Sequence, residues 1–213
     1  MISEEKTGSD EQDLSVPFSE RLQKLPCHFT WKHDTEIFKK RVRRNIDSCE
    51  RHIAENADAL AEIRRGTGLP IVIGEATYLK QGFRPLLEAR AADILNPDVA
   101  CCGGILELKE IAAMAEPYMV AMSPHNYNST AVGLSSTVHA SAGMPNFIIT
   151  EYFLPFVEFC DKISHNQLKP KNGYIDLPTA PGLGIDIDEE ALKQHPAKVY
   201  PARNLRHPSD EGP

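Results

Sequence analysis

The sequence predicts an α/β protein built on a parallel sheet covered by helices, and three observations carry that expectation. Short apolar runs alternate with helical stretches from about residue 69 onward. The runs are continuously apolar rather than alternating in polarity, as strands buried on both faces are. Each run ends on a polar residue: Glu75, Asp98, His125 and Glu151, at spacings of 23, 27 and 26 residues, a βα period near 25.

Along the chain, residues 1–33 hold "GSDEQD" with Pro17 and Pro26 as breakers and no sustained period, and they are expected to be irregular or disordered. Residues 34–66 have helical texture. Asp34 or Thr35 can cap the start, Ile37, Phe38, Val42 and Ile46 give partial helical spacing, and Ala57, Leu60, Ala61 and Ile63 continue it to Gly66. A break near Glu55 and Asn56 would divide this stretch into two helices. Within it "KKRVRR", residues 39–44, reads first as a solvated helix face and second as an anion-binding patch.

Residues 67–192 carry the repeat. "LPIVIGE" (69–75) reads as a strand, "FRPLLEARA" (83–91) as a helix and "ADILNPD" (92–98) as the next strand. "CCGG" is the following loop and "LELKEIAAMAE" its helix. "YMVAMSPH" (118–125) is a third strand, "AVGLSSTVHASAG" (131–143) a helix and "NFIITE" (146–151) a fourth strand. Residues 193–213 form a tail.

Composition bounds the function classes. The chain has 213 residues, 41% hydrophobic content and a formal charge of −7, which suits a globular protein and disfavours nucleic acid as a partner. No apolar stretch approaches the roughly 18 to 20 residues of a membrane helix, and "MISEEKTGSDEQD" is unlike a signal peptide, so a cytoplasmic, membrane-free protein is expected. The five cysteines, including adjacent Cys101 and Cys102, lack paired CxxC spacing and predict neither a disulfide framework nor a zinc site.

Carboxyl ends of successive parallel strands are where barrels and open α/β sheets place their chemistry. Taken singly, Asp98 reads as a helix N-cap and His125 as a satisfied loop histidine. Taken together, four polar residues at one relative position converge on one small ligand. A carboxylate beside a histidine sets its tautomer and makes a general acid or base, and a separate acid can hold a hard divalent cation. No Walker or Rossmann phosphate loop and no nucleophile elbow is present.

With these residues in place, "LPIVIGE", "ADILNPDVACCGGILELKEIAAMAE", "SPHN", "IITE" and "GYIDLPTAPGLGIDIDEEAL" resemble the C-terminal barrel part of the enolase superfamily. Within it they are most similar to the mandelate racemase and muconate-lactonising group, especially its galactonate-type acid-sugar dehydratases. The motifs cover about residues 56–192. The resemblance implies a partial (β/α) TIM-type barrel, its C-terminal half, with a non-matching helical N-terminal segment. By position, it implies Glu75 as a ligand of a catalytic Mg²⁺, Asp98 and His125 as the proton-moving dyad, and Glu151 as the acid that hydrogen-bonds the substrate carboxylate. The reaction implied is a lyase reaction on a sugar acid: abstraction of the proton α to the carboxylate, then loss of hydroxide.

The family's two other metal carboxylates, its further basic residue and its capping domain have no counterpart in these motifs; Asp47 and Glu50 lie in helical context and read as surface acids. Two other readings therefore stand beside the dehydratase: a racemase or epimerase of 2-hydroxy acids, and a barrel remnant, inactive because truncated, that serves as a binding or oligomerising module. Four parallel strands do not close a barrel, and the "PIVIG" and "FIIT" strands would present apolar edges. A homo-oligomer or a complementing barrel half is the expected partner, alongside a small sugar-acid substrate, with the 34–65 helix over part of the exposed face.

Overall fold

A computed structural model describes residues 24–29, 56–67, 69–127 and 129–196. The helical reading of residues 34–55, with the basic run and the two surface acids, lies outside them, as does the tail beyond residue 196.

The repeat predicted from sequence is present. Helix α1 (Ala57–Thr67) leads to β2 (Val72–Ile73), α2 (Leu79–Glu88), β3 (Ile94–Leu95), the single turn α3 (Val99–Cys102) and α4 (Ile105–Ala115). Then come β4 (Ala121–Met122), α5 (Ala131–Ala142), β5 (Thr150–Tyr152) and α6 (Val157–Ile163). Asn56 starts α1 by accepting the Ala59 N–H on its Oδ1 at 3.0 Å, which places the helix start where the sequence suggested a break.

Strands β2, β3 and β4 pair in parallel in that order, with Val72 against Ile94 and Ile94 against Ala121. The ladder continues through a parallel bridge from Met122 to Phe147, and the Glu151 N–H donates to the Pro124 carbonyl at 3.3 Å. The strands are shorter than the apolar runs that announced them. Pro97 and Pro124 follow β3 and β4 closely, and a residue without an N–H interrupts the ladder. Tyr118 belongs to a 3₁₀ turn (Glu116–Tyr118) rather than to the third strand.

The main core lies between this sheet and helices α2 and α4. Phe83, Leu86 and Leu87 from α2, Leu95 from β3, Leu108 and Ile111 from α4, and Met122 from β4 are all buried there, each worth about 1.5–3 kcal/mol in burial. Cys102 is buried among them, so half of the cysteine pair is core rather than loop. A smaller cluster of Leu134, Val138, Tyr152 and Ile175 packs under α5.

Two expectations are corrected. The stretch read as irregular contains a strand, β1 (Lys24–Phe29), and the "FIIT" edge is paired: β1 runs parallel to β5, with His28 in register with Glu151. On its other side β1 pairs antiparallel with β7 (Tyr174–Asp176), the "YID" run, placing Pro26 opposite Tyr174. This pairing joins residues more than a hundred positions apart, so no local pattern announces it. Beyond β5, a hairpin-like pair of β6 (Ser164–His165) and β8 (Asp186–Ile187) and the short helix α7 (Glu189–Lys193) complete the described chain.

Helix α1 is tied to the sheet by Asp93. Its Oδ1 takes Arg64 Nη2 at 2.5 Å and its Oδ2 takes the Ile71 N–H at 2.9 Å, while Arg64 Nη1 donates to the Arg90 carbonyl at 3.2 Å. The Arg64 hydrogen bond, helped by Ile71 and opposed by burial, holds the Asp93 carboxyl below its ordinary range. A depressed carboxyl stabilises the fold above its unfolded pKa of about 3.9, and the contribution is lost as pH falls through the lower, folded value. Asp93→Asn is expected to cost about 1 kcal/mol at pH 7, a gap that narrows below about pH 4, as read by urea denaturation at pH 7 and pH 3.

Candidate active site

The four sequence-selected residues meet at one end of the sheet. Glu75 stands two residues past β2, after Gly74 at φ +133°, where a Cβ would come within 2.6 Å of the Phe83 ring. Only glycine lets the chain leave the strand there without displacing the core. Asp98 follows Pro97 at the end of β3 and is the N-cap of α3, its Oδ1 accepting the Ala100 N–H at 2.8 Å. Gly103 and Gly104, at φ +121° and +94°, end that turn and aim the chain into α4. His125 follows β4 and pairs with Asp98 in a parallel backbone bridge, its N–H donating to the Pro97 carbonyl at 3.1 Å.

These positions put one imidazole among three carboxylates. His125 Nδ1 is 2.8 Å from Asp98 Oδ2, and Nε2 is 3.1 Å from Glu75 Oε2 and 3.6 Å from Glu151 Oε2. The Asp98 side chain is 6% exposed, that of Glu151 12%, that of His125 18% and that of Glu75 43%, so the site opens to solvent on the Glu75 side. Asp98 thus caps a helix with one oxygen and holds the imidazole with the other.

Burial by itself lowers the proton affinity of His125. The hydrogen bonds to Asp98 and Glu75 and the negative charges of Glu151 and Glu75 outweigh it and push the pKa up to about 10. The ring is therefore an imidazolium at neutral pH, with Nδ1–H held by Asp98 and the Nε2 proton facing Glu75 and Glu151. Such a group donates a proton as it stands. It becomes a base when something draws the negative charge of Glu75 away.

Asn126, next to the histidine in "SPHN", has a part at the site that its residue type does not announce. Its backbone N–H donates to Glu151 Oε2 at 3.0 Å, which turns that carboxylate toward the imidazole, and Thr150 Oγ1 fastens the neighbouring strand to the Pro124 carbonyl at 2.9 Å. The signal was adjacency to the histidine. Tyr127 and Phe153, with ring centroids 4.5 Å apart, form an aromatic wall beside the site.

A divalent cation needs several oxygen ligands around one point. Among the described residues no three His, Cys, Asp or Glu side chains are arranged to hold a metal ion, and Glu75, Asp98 and Glu151 are turned to the imidazole. The described residues alone therefore do not fit a Mg²⁺ centre. No helix among them is long and apolar enough to cross a membrane.

Comparison with known proteins identifies the family. The family model for the enolase C-terminal domain-like group matches residues 35–191, which takes in residues 35–55, upstream of the Asn56 start marked by the motifs. The chain is 33% identical over 141 residues to a D-xylonate dehydratase of Haloferax volcanii, covering 66% of this chain and 34% of that protein. It is 34% identical over 158 residues to a D-galactonate dehydratase of Ralstonia pickettii, covering 71% and 41%. A crystal structure of a mandelate racemase/muconate lactonizing enzyme-like protein from Rubrobacter xylanophilus superposes with a TM-score of 0.62 at 40% identity, covering 69% of this chain and 38% of the other. The chain spans between a third and about two fifths of the length of these relatives. With a family model matched over residues 35–191 and relatives at 33–40% identity, the chain belongs to the enolase C-terminal domain-like family.

Proposed function

We propose that this chain carries the proton-transfer half of an acid-sugar dehydratase, a lyase that removes water from a polyhydroxy carboxylate. The observation that carries the proposal is the His125 imidazole, fixed at Nδ1 by Asp98 and facing the open mouth through Nε2. Once the negative charge of Glu75 is drawn away and Nε2 has released its proton to solvent, an imidazole so held accepts the proton α to a carboxylate; the electron pair moves into the carboxylate as an enediolate, and its return expels the β-hydroxyl group. The departing hydroxide leaves as water by taking a proton from His125 Nε2–H, and the resulting enol becomes a 2-keto-3-deoxy acid. Asp98 keeps the ring oriented through both transfers. Glu151, held by the Asn126 N–H, is placed to position the substrate carboxyl or hydroxyl groups.

Mg²⁺ dependence is part of this proposal through the family resemblance, with Glu75 as its ligand; the remaining ligands come from outside the described residues, and no step above is routed through the ion. The same transfers without hydroxide loss would racemise or epimerise a 2-hydroxy acid. A non-catalytic binding or oligomerising module is favoured by one observation, the excess of carboxylates around the imidazole, which opposes entry of an anionic substrate. A second copy or a complementing chain is proposed to pair at the β2 edge, which ends the sheet among the described residues, and light scattering at micromolar concentration is expected to show a dimer or larger assembly.

Incubation with a panel of acid sugars and Mg²⁺, followed by detection of 2-keto-3-deoxy products, tests the activity. Racemised substrate without keto product would move the assignment to the epimerase, and no turnover in an assembled sample would leave the binding module. Where turnover exists, His125→Asn is expected to lower it by at least about 100-fold, while Cys101→Ala, at an exposed position, changes it by less than about twofold. In an NMR titration the His125 ring is expected to stay protonated well above pH 7, and Glu75→Gln to move its titration downward, because the negative charge is removed and the hydrogen bond loses its charge assistance. The sign for stability follows: a raised histidine stabilises the native state fully below its ordinary value of about 6.5, and that contribution falls away as pH rises toward about 10.

A further inference from the structure

The chain between Glu75, which faces His125 Nε2 at 3.1 Å, and Lys80, in the first turn of α2, follows a closely defined path. The Thr77 N–H donates to the Gly74 carbonyl at 3.1 Å, closing a turn around Glu75. Thr77 itself is buried against α2, where a Cβ on Gly82 would come within 2.9 Å of its methyl group. Tyr78 is extended, and Leu79 then takes a left-handed conformation, φ +54°, as the first residue of the helix. A side chain as bulky as leucine adopts that conformation where its surroundings impose it.

The imposing group comes from the neighbouring βα unit. Helix α2 has no side-chain cap at Tyr78 and no acidic residue in its first turn. Glu107, in the first turn of α4, accepts the Lys80 N–H on Oε1 at 2.6 Å. An acid at the third position of a helix commonly reaches back to cap its own start; this one gives that oxygen to α2 instead. Its Oε2 lies 3.6 Å from Lys80 Nζ, which also pairs with Glu110. The Glu107 side chain is 16% exposed, so its charge-assisted bond to the helix start is shielded from much of the solvent. Leu79 and Glu107 close together on Gly103, where a Cβ would stand 3.0 Å from Leu79 Cδ2 and from Glu107 Cγ. Gly103 ends the turn that Asp98 caps. One carboxylate thus fastens the loop that carries Glu75 to the loop that carries Asp98.

We infer that Glu107 is a positioning residue for Glu75: by anchoring the start of α2 it sets how Glu75 stands against His125 Nε2, acting through the backbone of residues 75–80. The inference rests on the dehydratase reading for its effect on turnover, and the positioning is tested without turnover. In NMR of the full chain at pH 7, the His125 ring Cε1–H signal reports the groups that face the ring, and Glu75→Gln gives its position when the carboxylate is gone. Glu107→Ala is expected to move the signal toward that position, and to add no further shift in the Glu75→Gln background, because the group it places is then absent. Lys80→Ala keeps the N–H that Glu107 holds and is expected to leave the signal in place. Glu107→Asp, which keeps the charge but shortens the reach, takes the place of Glu107→Ala if that variant loses its dispersed spectrum, with the same shift expected. Where turnover exists, Glu107→Ala is expected to lower kcat about tenfold or more. A ring signal unmoved in the folded Glu107 variant, or an equal further shift in the Glu75→Gln background, would make Glu107 a stabilising contact between helices and overturn the inference. A shift of the same size in Lys80→Ala would overturn it too, by assigning the effect to the ion pair. Coupling between Glu107 and Glu75 in a chain that turns over no acid would instead overturn the dehydratase reading and leave the positioning standing.

Discussion

Everything at the candidate site depends on a single carboxylate used twice. Asp98 Oδ1 caps α3 through the Ala100 N–H, and Oδ2 holds His125 Nδ1. The two uses fit together because the backbones of Asp98 and His125 form a parallel bridge, which fixes the spacing of their side chains before either is needed for chemistry. Pro97 ends the ladder of β3 just before it, and Gly103 and Gly104 release the chain from α3 just after it. A change that shifted any of these would disturb the cap and the imidazole together, so the helix register and the placement of the ring are one constraint.

The electrostatics follow from that placement. A buried imidazole alone would resist a proton, yet Glu75, Asp98 and Glu151 surround this one and reverse the preference. The Asp98 side sets the tautomer and is closed to water, whereas the Glu75 side is open. The Asp98 hydrogen bond supports the proton on His125 most strongly, and Glu75 adds to it from the open side, where a competing group can reach. A mouth richer in carboxylates than in cations is suited to an arrangement in which part of its charge balance comes from elsewhere, in keeping with a chain that spans about a third to two fifths of the length of its relatives.

Strand β1 alters the picture of an open half-barrel. A wall ending at β5 would expose an unpaired edge beside Glu151. Pairing with β1, itself paired with β7, extends the sheet past that point, so the Glu151 strand has a neighbour on each side: the Pro124 carbonyl at one edge and β1 at the other. The same region carries a cleft lined by the loop after β4, the start of α5, and residues from Tyr152 to Cys160. Asn126 lies at this βα junction, its backbone N–H on Glu151 and its side chain buried.

What the sequence determined by itself was the alternation of buried strands and covering helices and the identity of Glu75, Asp98, His125 and Glu151. Continuous apolar runs and a constant offset from run to strand end are local signals, carried within about 25 residues, and they survive without knowledge of the partner strands. The motif also carried the family resemblance, because strand-end chemistry is tied to residue type. Other features were decided only by the tertiary structure. That Asp98 both caps a helix and holds the ring, that Asn126 turns Glu151, that Cys102 is core while Cys101 is exposed, and that "KLPCHF" is a strand all depend on contacts between segments far apart in the chain. Pro26 made β1 look like a break when read locally; its place opposite Tyr174 exists only once residues 24–29 meet residues 174–176. Pairing, burial and proton affinity are properties of neighbours in space, and a linear pattern records a neighbour only when it is also near in sequence.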